Sequence, residues 1–93
     1  MIPLSFDHKP NNKLETQRIY KIKHFVDEAS NRVDGSLAVA RAFGDHQYKD
    51  KMDKGDWTEQ AVTACPDIHV FDRKEEDHFF VLACDGIWDC KTN

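Results

Sequence analysis

The feature of this sequence that most limits how it can fold is an apolar run that ends at an aspartate. The segment HFFVLAC, residues 78–84, is apolar almost throughout and is followed by Asp85-Gly86. Such a run is typical of a strand that is covered on both faces. A charge at the end of a buried strand is costly unless it is paired or bound to a metal ion. We therefore expect a charged or metallic partner for Asp85.

The rest of the chain predicts a few short elements. Leu14, Ile19, Ile22 and Val26 recur at roughly helical spacing, which predicts a helix from about Leu14 to Lys23. Asp34-Gly35 lies between apolar pairs and predicts a tight hairpin turn.

Three further stretches lie between the hairpin turn and the apolar run. Residues 45–57 are polar and without apolar period, so we expect an exposed excursion there. The stretch AVTACPDIHVF predicts two short β segments hinged at Pro66, and DRKEED predicts a charged turn.

These elements are few for a strand that needs covering layers on both sides. Four or five short strands and one helix supply little of such a covering, and the chain ends three residues after Cys90. No repeat or flexible linker marks an internal boundary. We therefore expect one domain that is part of a larger one.

Charge and composition exclude several classes of protein. Seventeen acidic and thirteen scattered basic residues give a formal charge of −4, which argues against a surface for nucleic acid or anionic membrane. No apolar stretch approaches the roughly 20 residues of a membrane helix, and the start lacks the features of a signal peptide. We expect a soluble intracellular protein, cytoplasmic or nuclear. Cys65, Cys84 and Cys90 show no CxxC spacing, so we expect reduced thiols.

Six stretches together carry a resemblance to one family. In chain order they are LSFDHKP (4–10), ETQRI (15–19), RVDGSLAVARAFGD (32–45), YK (48–49), PDIHV (66–70) and FFVLACDGIWD (79–89). In this order and spacing the chain resembles the metal-dependent type 2C serine/threonine protein phosphatases.

The resemblance implies a fold and an activity. The fold class is α+β, and residues 1–93 would be part of a catalytic domain built as a four-layer α-β-β-α sandwich with mostly antiparallel sheets. The activity is hydrolysis of phosphoserine and phosphothreonine in phosphoprotein substrates. Its cofactors are Mg²⁺ or Mn²⁺ ions, two or more in the complete domain, and they activate the attacking water.

The resemblance also assigns roles at the DGIWD motif. Asp85 matches the aspartate that ligates the metal centre, and Asp89 matches a second acidic residue that helps to hold an additional ion. Gly86 would let the chain turn sharply, and Trp88 would pack beneath the turn. No catalytic residue is assigned, because the family's DGHGG motif with its general-acid histidine has no match here, nor has its final aspartate-asparagine pair.

Other motif residues are expected to be structural. Asp7 and His8 suggest a turn held by an aspartate side chain, although a ligand pair is the alternative. Arg41 and Asp45 suggest an ion pair that fixes a loop. Residues 46–60 correspond to a surface segment of the family called the flap, a candidate for substrate choice or a plain solvated loop. The connection 21–31 lacks the Gly-Gly found in many family members, so its path is expected to differ.

Two functional hypotheses remain open from the sequence. The first is a segment of a protein serine/threonine phosphatase that is inactive or nearly so by itself. The second is a catalytically inactive phosphatase-like regulatory or binding module, whose exposed sheet edge would favour strand addition or self-association. A third, an unrelated acidic β module, would require all six matches to be chance.

Overall fold

The computed structural model describes residues 2–49 and 56–91. The chain forms two compact units, one of Asp7–Asp67 and one of Met1–Phe6 with Ile68–Asn93. In chain order the elements are helix α1 (Lys13–Lys21), strands β1 (Val26–Asp27) and β2 (Arg32–Val33), two 3-10 helices (His46–Tyr48 and Trp57–Glu59) and helix α2 (Asp85–Trp88). Within the described ranges, every helix is too short or too polar to span a membrane.

Helix α1 confirms the predicted helix, but it ends two residues earlier than expected. After α1, the N–H of Lys23 donates to the carbonyl of Tyr20 at 3.1 Å, and the N–H of His24 donates to that of Ile19 at 3.2 Å. Lys23 has φ 69°. This pair of bonds around one left-handed residue is the Schellman ending of a helix, in which glycine usually occupies the left-handed position. The helix therefore ends without the glycine that the family pattern would place nearby.

The core of the Asp7–Asp67 unit gathers side chains from α1, both strands and the segment after the second 3-10 helix. Its buried apolar members are Ile19, Val26, Val33, Ala40, Tyr48, Ala61 and Val62. The prediction that Leu14 belongs to the apolar face of the helix is wrong, since its side chain is 73% exposed. The next residue, Glu15, turns inward instead and is 2% exposed.

The described β structure is a two-stranded antiparallel sheet in which Val26 pairs with Val33 and Asp27 with Arg32. The predicted turn at Asp34-Gly35 follows β2 and is confirmed. Asp34 has φ 50° and Gly35 has φ 70°. Val33 and Leu37 close the turn with backbone bonds of 2.8 and 3.1 Å. Both central residues need positive φ, which is why an Asp-Gly pair is favoured there.

The predicted β segments around Pro66 form only in part. Thr63 makes a parallel bridge to Arg41, and the N–H of Ala42 donates to the carbonyl of Thr63 at 3.0 Å. Among the described residues beyond Pro66, the backbone of 68–71 belongs to no strand.

The predicted strand with two covered faces is also absent from the described part of the second unit. Residues 78–84 belong to no strand there. The side chains of 79–82 are 81, 74, 53 and 86% exposed. The turn that precedes them is confirmed by a bond of 3.1 Å from the N–H of Asp77 to the carbonyl of Lys74.

Candidate functional site

The two predicted metal ligands lie together on α2. Asp85 is the first residue of this helix and Asp89 caps its end, and the N–H of Asp89 donates to the carbonyl of Asp85 at 2.8 Å. Residues four apart on a helix lie on the same side of it, with Cβ atoms about 5–6 Å apart. Both side chains are exposed. The structure therefore brings the two carboxylates to one side of one turn and leaves them accessible.

The other two residues of the motif differ in how well they match expectation. Gly86 has no positive φ, and a Cβ placed there would meet only the Cys84 Sγ at 3.9 Å, so its expected role as a turn glycine is not what the structure shows. The chain turns into α2 with ordinary helical geometry. The indole N–H of Trp88 donates to the carbonyl of Ala83 at 2.7 Å, which folds the ring back toward the segment before the helix.

The donor set of α2 fits a divalent ion only in part. Mg²⁺ and Mn²⁺ prefer hard oxygen ligands such as carboxylates. Mg²⁺ requires an octahedron of about six oxygen ligands, several of which are usually water molecules. In residues 2–49 and 56–91 no group of three or more His, Cys, Asp or Glu side chains is placed to hold a metal ion. Asp85 and Asp89 can therefore contribute to a metal centre, and further ligands must come from water or from other groups.

A second group of charged residues lies inside the Asp7–Asp67 unit and centres on Glu15. The Glu15 Oε1 accepts from the Arg41 Nε at 3.0 Å and from the Arg41 Nη2 at 2.5 Å. The Glu15 Oε2 accepts from the Arg18 Nη1 at 2.5 Å. One buried carboxylate thus pairs with two guanidinium groups, each of which is at most 16% exposed.

The two arginines also donate hydrogen bonds to backbone carbonyls of neighbouring segments. Arg18 donates to the carbonyls of Gln60 at 2.8 Å and Ala40 at 2.7 Å. Arg41 donates to the carbonyl of Cys65 at 3.1 Å. The cluster therefore ties α1 to the segments 40–41 and 60–65, which belong to no helix and need such partners for their carbonyl groups.

Asp67 and His8 complete the cluster at its exposed side. The Asp67 Oδ1 accepts from the Arg41 Nη1 at 2.6 Å, and its Oδ2 lies 2.9 Å from the His8 Nε2. The predicted pair of Arg41 with Asp45 is therefore wrong: Arg41 pairs with Glu15 and Asp67, whereas Asp45 is exposed and has φ 49°.

The prediction for the DHKP stretch needs a similar correction. The Asp7 carboxylate, which was expected to hold this turn, lies 3.8 Å from the Lys9 Nζ instead, and the His8 Nε2 lies 2.9 Å from the Asp67 Oδ2. The side chain that stabilises the turn is that of Asn12, whose amide donates to the carbonyl of Asp7 at 2.6 Å.

The electrostatics of this cluster are those of ionised, mutually paired groups. Burial alone would raise the pKa of Glu15, but the hydrogen bonds from Arg41 and Arg18 lower it below the ordinary value. The hydrogen bonds from His8 and Arg41 lower the pKa of Asp67 to about 2. The hydrogen bond to Glu15 raises the pKa of Arg41 above its ordinary value. All three groups are therefore charged at neutral pH.

An open cleft of about 340 Å³ borders the cluster and is lined by His8, Arg41, Ala42, Phe43, Thr63, Ala64, Cys65, Pro66 and Asp67. Its charged groups already pair with one another, as the distances above show. Because these groups are already hydrogen-bonded within the chain, they leave few donors or acceptors in the cleft for a ligand.

The flap expectation covers residues that the structure describes only in part. Tyr48 is 5% exposed, which contradicts a wholly exposed excursion, and residues 50–55 lie outside the described residues. The second 3-10 helix is capped by Asp56, whose side chain accepts from the N–H of Thr58 at 2.9 Å. Lys21 of α1 reaches Glu59 at 2.5 Å.

Sequence reasoning missed Glu15, Arg18 and Asp67 as a connected group. One local signal was present, since Glu15 and Arg18 are three residues apart on a predicted helix and can therefore meet. The partners 26 residues away, Glu15 with Arg41 and Arg41 with Asp67, leave no periodic trace in the sequence. Only the folded chain brings them together.

Comparison with known proteins places this geometry in context. The sequence profile described as "Protein phosphatase 2C" matches residues 1–93. Protein phosphatase 2C homolog 2 of Schizosaccharomyces pombe is 50% identical over 91 residues, which are 98% of this chain and 24% of that protein. Protein phosphatase 1A of Bos taurus is 51% identical over 88 residues, 94% of this chain and 22% of that protein.

A solved structure is also similar to this chain. The crystal structure of a phosphatase from a pathogenic strain of Toxoplasma gondii superposes with a TM-score of 0.63 and 46% identity, covering 69% of this chain and 19% of that one. The chain thus spans about a quarter or less of the relatives it matches, and along its whole length it belongs to the protein phosphatase 2C family.

Proposed function

We propose that this chain supplies part of the catalytic domain of a metal-dependent protein serine/threonine phosphatase. In this proposal Asp85 and Asp89 bind Mg²⁺ or Mn²⁺, and the substrates are phosphoserine and phosphothreonine in intracellular phosphoproteins. The observation that carries it is the pair of accessible carboxylates on one side of α2, within a segment whose whole length matches the family.

The chemistry assigned to this chain's residues is ligation and orientation. Divalent ions, when bound, supply an activated water and offset the charge of the phosphate. Asp85, at the start of the helical turn, and Asp89, at its end, would provide carboxylate oxygens to such ions. The hydrogen bond from the Trp88 indole to the carbonyl of Ala83 links that turn to the residues that precede it.

The remainder of the site and of the fold belongs to the same proposal. Since the chain spans 24% of its S. pombe relative, the four-layer sandwich and the further ligands would be contributed by polypeptide outside residues 1–93. Residues 1–93 are then one part of a single catalytic domain. A catalytically inactive binding module is the second candidate, and the exposed apolar residues of the second unit favour it.

A chimera tests the phosphatase proposal. The 91 matched residues of the S. pombe relative are replaced by the corresponding residues of this chain, and Mn²⁺-dependent release of phosphate from a phosphothreonine peptide is measured. We expect turnover, and we expect Asp85→Asn to lower kcat at least about 100-fold, since changing groups behind a metal ligand already costs roughly 10–100-fold.

The matched control is Asp72→Asn, which removes another exposed carboxylate from the same unit and should leave kcat unchanged. A folded, active chimera that keeps its kcat after Asp85→Asn would refute the ligand assignment. A folded chimera without turnover would refute the proposed function.

A further inference from the structure

Two stretches of the Asp7–Asp67 unit that are distant in sequence lie side by side. We name residues 40–42 and 60–63 the two stems, because the flap, residues 46–60, begins after the first and ends on the second. The N–H of Ala42 donates to the carbonyl of Thr63 at 3.0 Å, and a parallel bridge joins Thr63 to Arg41. Ala40 is 0% and Thr63 is 1% exposed. The stems are therefore neighbouring, buried parts of one unit.

The guanidinium group of Arg18 lies across both stems. Its Nη2 donates to the carbonyl of Ala40 at 2.7 Å and to that of Ala61 at 3.3 Å, and its Nε donates to the carbonyl of Gln60 at 2.8 Å. Its Nη1 donates to the Glu15 Oε2 at 2.5 Å. The Arg18 side chain is 13% exposed. One planar group of α1 thus anchors both stems to this helix.

This arrangement requires a guanidinium group. Arginine presents five N–H donors in a rigid fork, whereas the ammonium group of lysine is a compact point charge on a flexible stem. A lysine at position 18 keeps a positive charge beside Glu15, but it cannot reach carbonyls of both stems at once. The buried carboxylate would stay paired, and the stems would lose their common anchor.

The stretch between the stems carries exposed aromatic side chains. Among its described residues, Phe43 is 91% and Trp57 is 60% exposed. Binding residues often lie on exposed loops that a rigid scaffold positions, and aromatic residues are enriched where proteins contact one another. The proposed metal ligands would act on the phosphate group of any substrate. The stretch between the stems is therefore suited to the polypeptide around the phosphorylated residue.

We propose that Arg18 is a positioning residue for substrate recognition: by anchoring both stems to α1, it fixes the flap in the arrangement that binds the polypeptide flanking a phosphoserine or phosphothreonine. This inference rests on the proposed function. It deepens that function by naming a residue that acts on substrate binding through the flap.

Two substrates of the chimera described above test this role. We expect Arg18→Lys to raise KM for the phosphothreonine peptide at least about tenfold, since loss of uniform binding raises KM and leaves kcat unchanged. For p-nitrophenyl phosphate, which has no flanking polypeptide, kcat and KM should stay unchanged. The Mn²⁺ concentration that gives half the maximal rate should also stay unchanged.

The matched control is Arg32→Lys. Arg32 is exposed and donates to the carbonyl of Ser36 at 2.5 Å, a contact that one ammonium group can also make. This substitution should change KM for neither substrate.

Amide hydrogen exchange in the chimera measures the stems directly. Because exchange reports local opening, Arg18→Lys should speed exchange of the Ala42 N–H at least about tenfold. Exchange of the Val33 N–H, which donates to the carbonyl of Leu37 at 2.8 Å, should stay unchanged and serves as the internal reference. Equal exchange at Ala42 with and without the substitution would overturn the anchoring role.

The kinetic outcomes separate this inference from the proposed function. In an active chimera, an unchanged KM for the peptide after Arg18→Lys would overturn the inference alone. An equal loss for both substrates, or failure of the variant to fold, would show that Arg18 serves stability only. If the unsubstituted chimera folds but shows no turnover, the proposed function fails and this inference fails with it.

Discussion

Glu15 is the residue whose surroundings most constrain the Asp7–Asp67 unit. Its carboxylate is 2% exposed and accepts hydrogen bonds from Arg18 and Arg41. Burial of an ion pair gains little over apolar packing, but removal of one partner leaves a buried charge unpaired. The two arginines also hold carbonyls of residues 40, 60, 61 and 65, so the loss would reach several segments at once.

At the residue scale, Glu15→Gln should destabilise this unit by about 3 kcal/mol, since breaking a buried ion pair costs about 3–5 kcal/mol. Urea unfolding followed by the far-UV circular dichroism of α1 measures the change. The control is Glu28→Gln, at an exposed glutamate of the same unit, for which we expect a change within about 0.5 kcal/mol. Equal effects of the two substitutions would show that the Glu15 cluster contributes no particular stability.

The pH dependence follows from the direction of the Glu15 shift. The pKa of Glu15 is lower in the folded chain than its ordinary value of 4.5. Its contribution to stability is therefore fully present above pH 4.5 and is lost as the pH falls through the folded pKa. Glu15→Gln should accordingly flatten the acid side of the stability profile.

Helix α1 keeps a Schellman ending although a lysine, and not a glycine, occupies its left-handed position. Its Schellman ending places Lys23 at φ 69°. An L-residue in this conformation costs roughly 1–2 kcal/mol relative to the right-handed region, and glycine avoids that cost. The hydrogen bonds of Lys23 and His24 to the end of the helix and the burial of Val26 hold the residue there.

At the element scale, Lys23→Gly should stabilise the unit by about 0.5–1 kcal/mol, because relief of the left-handed strain exceeds the added entropy of unfolded glycine. Thermal unfolding should show a higher Tm. The same change inside the helix, Gln17→Gly, serves as control and should cost about 1 kcal/mol. A lower Tm for Lys23→Gly would show that the lysine side chain contributes more than its backbone strain costs.

At the scale of the whole molecule, the two units differ in the interactions that stabilise each of them internally. Among its described residues, the Asp7–Asp67 unit has a core of seven buried apolar side chains and an internal charge cluster. In the described part of the other unit, no residue is buried and the apolar side chains of residues 79–82 are exposed. The candidate metal ligands therefore lie in the unit whose described residues form no buried core.

This difference predicts the behaviour of the chain by itself. With Mn²⁺ and a phosphothreonine peptide, the isolated 93-residue chain should turn over well below about 1 s⁻¹, the lower end of typical enzyme rates. Two carboxylates leave most coordination positions of an ion to water. Phosphate release, with the active chimera as positive control, measures this. Turnover at or above about 1 s⁻¹ would show that two carboxylates suffice.

The sequence by itself determined the features that depend on neighbouring residues. Helical spacing predicted α1, Asp34-Gly35 predicted its turn, and six collinear motifs indicated the family. The helix and the turn depend on local conformational preferences, which a short stretch of sequence carries, whereas the family is indicated by the residue identities and the order of the motifs. The prediction for Asp85 and Asp89 rests on a motif of the same kind, and it stays a prediction.

Only the tertiary structure decided which distant groups meet. The sequence suggested Arg41 with Asp45, the nearer carboxylate, but the folded chain pairs Arg41 with Glu15 and Asp67. It also left exposed an apolar run that the sequence predicted to be covered on both faces. The physical reason is the same in both cases, since long-range pairing and burial depend on which surfaces are present to pack, and sequence spacing does not encode this.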